Sequence, residues 1–419
     1  MVGIVGIYKK IYAVIFILML FGFAITDYIL AGSSVVTDVK AKLPEDTSTM
    51  TAESINAFPK EIDTILTNDL VGKHMWNEVY GTVFAALGKN EENNFTYVRD
   101  KNGQMYLGNF WNTTDIEPIE MARRIRRMQD DLAGNGTKVI MLLYPTKSDK
   151  AWLDGYYGIP YPDLNDTADE LLVYLRRYNV DYIDYREILK ETKKSGKELF
   201  FAEDSHWRIE TAFYVTTKLV EHLKELGEDR IDPDGFYCDL ENNYITETYS
   251  DYCLGSQGRE AGEVYAGRDT FTFIYPKYKT EFRWKYMTSA GEDKKLEGDI
   301  ENTLIRKKVM ELKDLYEKDM YSCYMGGVEV RDSVVNNLSN NEIKVLFIRN
   351  SYSTPVVTFF APMVRETHSV WTDTASEELT MAAIKSNIYD YVFVALNEDA
   401  FFEKDLSFYT KPLEGEETE

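Results

Sequence analysis

Residues 343–353 read IKVLFIRNSYS, an apolar run from Ile343 to Ile348 broken by one lysine and followed by Arg349, Asn350 and Ser351. Such a run predicts a strand buried on both faces, the kind found in parallel sheets covered by helices. Two other segments share this character. Lys138 to Tyr144 (KVIMLLY) follows a helical pattern at Pro118–Leu132 and stops at Pro145, and Tyr391 to Leu396 (YVFVAL) follows a helical pattern at Ser376–Ile388. Helices are also expected at Glu170–Tyr178, Trp207–Leu226 and Val356–Val364, with short strands at Val180–Ile183 and His368–Trp371. This alternation predicts an α/β sandwich with a largely parallel sheet.

Around that frame the pattern changes twice. From Pro233 to about Asn340, short Tyr- and Phe-rich strands such as RDTFTFIYPKY and TEFRWKYM alternate with polar turns, which reads as a β-rich insertion. At the other end, Lys9-Lys10 precede an uncharged run from Ile11 to Ile25. A lysine pair before an apolar span predicts a transmembrane anchor within residues 1–31, favoured as uncleaved over the competing reading of a cleavable signal segment; either way the main domain is expected outside the cytoplasm. The expected organisation is therefore an anchor or signal segment (1–31), a stalk and leading helix (32–90), the α/β domain (91–403, insertion about 233–340) and an acidic tail (404–419). Asn94 to Leu107 predicts a hairpin turning at Lys101-Asn102-Gly103. The Pro118–Leu132 helix is basic, and Arg123, Arg124, Arg126 and Arg127 are expected on its solvated face.

Charge and cysteine usage exclude some functions. A net charge of -23 argues against a surface for nucleic-acid phosphates, so no nucleic-acid partner is expected. The three cysteines form no C-x-x-C, so no zinc or other metal site is expected, and no cofactor is called for. Cys238 and Cys253 can pair across a loop, or all three thiols can be free.

Asp204-Ser205-His206-Trp207 supplies an acid and a base in a chain with only four histidines. A serine hydroxyl is a weak nucleophile and needs an adjacent base; a carboxylate can orient that base. The competing reading is that Asp204 or Ser205 caps the helix that follows. Ser351 lies just beyond the C-terminal end of a predicted strand, where such sheets place their chemistry.

These segments, in this order, resemble the SGNH-like polysaccharide O-acetyltransferases that include the alginate acetylation proteins AlgJ and AlgX. The pattern is closest to the Gram-positive proteins named for a D-H-H-W motif. Val98–Leu107 looks like that family's hairpin, Val139–Tyr144 with Pro145-Thr146-Lys147 like its strand leading to P-x-K, and Asp204–Trp207 like its D-[TH]-H-W. Ile343–Ser353 looks like the strand leading to G-D-S-[FY], with Arg349-Asn350 replacing Gly-Asp. Asp and His precede Ser in the chain, the circularly permuted motif order of this family.

The resemblance implies an SGNH-hydrolase-like fold with Ser351 as nucleophile, His206 as base and Asp204 as its orienter. Asn350, Lys147 and Trp207 are candidates for substrate or oxyanion contacts. It further implies an extracytoplasmic O-acetyltransferase at the cell membrane. Its acceptor would be a polysaccharide, and its acetyl groups would come from a multi-span membrane-bound O-acyltransferase. A non-catalytic glycan-binding or assembly protein and an acetyl esterase remain open alternatives.

Overall fold

The computed structural model describes residues 73–92, 94–108, 114–148, 164–327 and 329–413, with scattered positions between 12 and 40. Among them no helix is long and apolar enough to cross a membrane; most of the expected anchor, the stalk and the tail from residue 414 lie outside the described residues. Two compact units divide between Tyr80 and Gly81. Helix α1 (Lys73–Ala86) begins in the first, and all that follows belongs to the second.

Strands β1 (Glu91–Glu92), β2 (Tyr97–Arg99) and β3 (Met105–Leu107) form a small antiparallel sheet. Its β2–β3 turn closes where expected: the Asp100 carboxylate accepts the Asn102 and Gln104 N–H groups, and Gly103 takes a φ of 85°. The chain then alternates through α2 (Pro118–Ala133), β4 (Lys138–Tyr144), α3 (Asn165–Arg177), β5 (Asp181–Asp184), α4 (Tyr185–Lys194) and α5 (Ile209–Glu225). Next come α6 (Leu240–Asn243), β6 (Tyr244–Cys253), α7 (Ser256–Ala261), α8 (Glu263–Ala266), β7 (Asp269–Pro276), β8 (Phe282–Thr288), β9 (Asp293–Gly298) and β10 (Glu329–Asn336). The last stretch holds β11 (Lys344–Arg349), α9 (Ser353–Phe360), β12 (Glu366–Trp371), α10 (Glu377–Lys385) and β13 (Tyr391–Asn397).

The principal sheet has eight strands in the order β5-β4-β13-β11-β12-β10-β8-β9. The first five are parallel, and β10, β8 and β9 continue the sheet antiparallel. The sheet is thus mixed rather than largely parallel. The reason lies in the insertion: β6 and β7 pair only with each other, but β8, β9 and β10 extend the edge at β12.

In the parallel half, alternate residues feed two cores. Ile140, Leu142, Tyr144, Val345, Phe347 and Phe393 pack beneath α4, α5 and α9. Val139, Met141, Leu346, Ile348, Val392 and Val394 pack beneath α2, α3 and α10. Burial on both faces is why these strands read as continuous apolar runs.

Two sequence expectations fail at the second core. Arg124 and Arg127 are buried rather than solvated. Arg124 donates to Glu120, Glu403 and the Leu406 carbonyl, and Arg127 to Glu120 and the Tyr409 carbonyl. Their partners beyond Glu120 come from residues 403–409, a segment grouped largely with the acidic tail, whose Leu406, Phe408 and Tyr409 enter the core. The three cysteines are free thiols.

Arg349, at the end of β11, is fully buried and not strained: it is not among the residues with positive φ. It donates to Ser369 Oγ at 2.8 Å, pairs with Asp332 at 3.3 Å and lies over the Trp371 ring. Burial pushes the Asp332 carboxyl up, and Arg349 and Ser369 oppose that shift. Removing one partner of such a pair leaves an uncompensated buried charge. Asp332→Ala is expected to cost about 3–5 kcal/mol in chemical denaturation, with Asp332→Leu/Arg349→Met recovering most of the loss. An Asp332→Ala midpoint equal to wild type would show that the pair is not structural.

Candidate active site

The segment around Asp204 is a tight turn, not a helix cap. Phe200 pairs with Trp207 across it, Phe201 N–H donates to the His206 carbonyl, and Arg208 N–H to the Leu199 carbonyl. Helix α5 begins later, at Ile209, and has Arg208 at its N-cap position with no side-chain cap. The turn exposes neither Asp204 nor Trp207, which are 5% and 0% accessible, and leaves His206 half-buried.

Ser351 meets this turn beyond the C-terminal end of β11. It occupies the bend between β11 and α9, with the Ser353 N–H on the Asn350 carbonyl and the Thr354 N–H on the Ser351 carbonyl. His206 Nε2 lies 2.8 Å from Ser351 Oγ, and His206 Nδ1 lies 2.6 Å from Asp204 Oδ1. The two motifs, 145 residues apart, therefore form one continuous hydrogen-bonded chain.

Backbone donors complete the Asp204 environment. The His206 N–H donates to Oδ1 at 2.9 Å and the Ser256 N–H to Oδ2 at 2.7 Å. Burial raises the carboxyl pKa, but the His206 imidazole and these hydrogen bonds outweigh it and hold the group well below the usual carboxylate range. An ionised Asp204 suits the imidazolium that forms when His206 takes a proton. The His206 ring stacks on Tyr321 at 4.0 Å, and Tyr321 donates its hydroxyl to the Tyr352 carbonyl.

The remaining candidates have structural partners. Lys147 Nζ donates to the carbonyls of Phe201, Ala202 and Asp204 at 2.6, 2.7 and 3.1 Å. It is a buried clamp on the Asp204 turn, with three backbone partners occupying its donors. Burial pulls the ammonium down to about 7, against the pull of nearby Glu203, Asp204, Asp269 and Asp100. Trp207 packs edge-on against Tyr144 and donates its indole N–H to the Tyr352 carbonyl, a core role. Asn350 is buried: its Oδ1 accepts the Tyr352 N–H and its Nδ2 donates to Asn397 Oδ1. Neither Lys147 nor Trp207 is free to meet a substrate. Arg349, where the family pattern has glycine, likewise turns into the core.

Sequence reasoning missed the Gly255-Ser256 contribution. These residues lie where β6 ends and α7 begins, inside the insertion. The Gly255 N–H donates to Glu203 Oε1 and the Ser256 N–H to Asp204. A Cβ on Gly255 would fall 2.6 Å from both the Glu203 carbonyl oxygen and the Asp204 Cβ. The Gly-Ser-Gln-Gly stretch, two glycines among bulky aromatics, was the available signal. Tyr321 and Asn397 carried none.

Gly255→Ala is expected to displace Asp204 and lower turnover of an activated ester on the order of a hundredfold while the protein remains folded. Wild-type rates in a folded variant would refute the contact. Glu203 gives a pH test. Burial, with Asp269 nearby, pushes its carboxyl from 4.5 up to about 8. The folded state then binds the proton more tightly than the unfolded state, so this stabilisation is complete in acid and lost as pH rises to about 8. Glu203→Gln should remove that decline; denaturation curves of both proteins across this range, if parallel, would refute it.

The family model described as the SGNH hydrolase-like domain of the acetyltransferase AlgX matches residues 112–237. A search of curated proteins found no match. A DHHW family protein from Eubacterium siraeum superposes with a TM-score of 0.55 at 18% identity, over 74% of this chain and 93% of its own. PatB1 of Bacillus cereus, solved with a sulfonyl adduct, superposes with a TM-score of 0.56 at 15% identity, over 74% of this chain and 97% of its own. Residues 112–237 thus resemble the SGNH hydrolase-like domain of AlgX, and the chain shares its fold with the DHHW protein and PatB1.

Proposed function

We propose that this chain is an extracytoplasmic O-acetyltransferase that carries an acetyl group on Ser351 to hydroxyls of a cell-surface or exported polysaccharide. The carrying observation is the hydrogen-bonded chain from Ser351 Oγ through His206 to Asp204, at 2.8 and 2.6 Å. The acetyltransferase in the matching family model's description supports the same reaction class.

In this reading His206 Nε2 takes the Ser351 proton as Oγ attacks the acetyl carbonyl, and returns it to the departing donor oxygen. A sugar hydroxyl then gives its proton to His206 and attacks the acyl-serine, which restores Ser351. Asp204 holds the imidazole in register and stabilises its charged form. The Ser351 N–H has no partner among the described residues and is the proposed donor to the oxyanion. A multi-span membrane-bound O-acyltransferase would supply the acetyl group, and an N-terminal single-pass anchor would hold the two proteins together at the membrane.

A sulfonyl fluoride or p-nitrophenyl acetate should leave one adduct, mapped by peptide mass spectrometry to Ser351. The adduct should be absent in Ser351→Ala, and His206→Ala should slow its formation by roughly a thousandfold or more. No labelling of a folded wild type would remove the enzyme reading. Labelling followed by release to water alone, with no transfer to any glycan hydroxyl, would make the chain an esterase.

A further inference from the structure

One region runs against the charge of the chain. The protein has a net charge of -23, yet among the charged groups lining a cavity of about 460 Å³ the cations Lys285, Lys294, Lys295 and Arg331, with His368, outnumber the carboxylates Asp293 and Asp332, the second of which is already paired with Arg349. It opens on the face of β12, β10, β8 and β9 opposite the one on which Tyr321 and Tyr352 pack. Register fixes that face: Leu346 pairs with His368, His368 with Ser333, Ser333 with Lys285, and Lys285 with Lys295. Cross-strand partners point to the same side, and Leu346 belongs to the second core.

Small residues keep the cavity open. Ala382, Ala383 and Ser386, at the end of α10, form one wall. Tyr389 closes another, its hydroxyl bonded to His368 Nδ1 and Ser386 Oγ. The cations are only partly compensated. Lys294 pairs with Glu292 and Lys295 with Glu297, while Arg331 meets Asp293 at 4.0 Å. These are exposed pairs, worth little and readily exchanged for another anion. Lys285 makes no salt bridge among the described residues.

We propose that this cavity binds an anionic glycan segment through its carboxylate or phosphate groups, at a site separate from the triad. Lys285, Lys295 and Arg331 supply the charge. The Ser333 and Ser386 hydroxyls meet sugar hydroxyls. A chain otherwise repelled by its own charge is thereby drawn to this one patch. The site does not depend on the triad being active.

The test is affinity electrophoresis of the full chain in non-ionic detergent, through gels holding polygalacturonate, poly(glycerol phosphate) or neutral dextran. Wild type and Ser351→Ala should be retarded by at least one polyanion, in a salt-sensitive way, and not by dextran; the polymer that retards them identifies the anion. Lys285→Glu/Lys295→Glu should bind about tenfold more weakly or worse, with Ser351 labelling unchanged. Ala382→Trp, which fills the cavity without changing charge, should weaken binding as well. No retardation of wild type by either polyanion at low salt would overturn the site, as would equal retardation of the charge variant. Unchanged binding by Ala382→Trp would reduce the patch to general surface charge and overturn the cavity.

Discussion

The site depends on keeping one carboxylate charged where water does not reach it. Asp204 is buried, and an isolated buried anion would take up a proton. Two backbone N–H groups and an imidazole prevent that. Each donor comes at a structural cost: a tight turn at 200–207, a close approach by Gly255, and a buried lysine gripping three carbonyls of the turn. Much of what surrounds the turn can be understood as meeting this demand.

The parallel strands meet a second demand, convergence. Lys147 follows β4, Ser351 follows β11, and Asn397 ends β13, three adjacent positions in the sheet. A crevice beyond the C-terminal strand ends is where chain direction changes across such sheets and where side chains from separate strands can meet. The Asn350–Asn397 hydrogen bond ties two of those ends together.

The parallel half was legible because burial on both faces writes itself as an uninterrupted apolar run. Ser351, His206 and Asp204 were legible because their chemistry is rare and their motifs are short and local. The antiparallel half was less so. In β8 and β10 one face is core and the other is partly exposed, and their alternation says nothing about which edge they will join. Arg124 and Arg127 were misread, and the burial of Arg349 went unforeseen, for one reason. A sequence shows a charge but not the carbonyls and carboxylates, up to 282 residues away, that allow it to be buried. The Gly255 contact was hidden because a backbone N–H carries no side-chain signature.

The segment inserted between α5 and β11 is more than an appendage. It donates the Ser256 N–H to the acid of the triad and the Tyr321 ring to its base. A cooperative unit of structure can open while the rest of a protein stays folded. Opening this one would strip Asp204 of a donor and His206 of its stacking partner, with the parallel sheet still intact. The geometry of the candidate site thus rests on a segment outside the parallel sheet. Amide exchange at Ser256 would report how often a folded molecule is, for a moment, without that geometry.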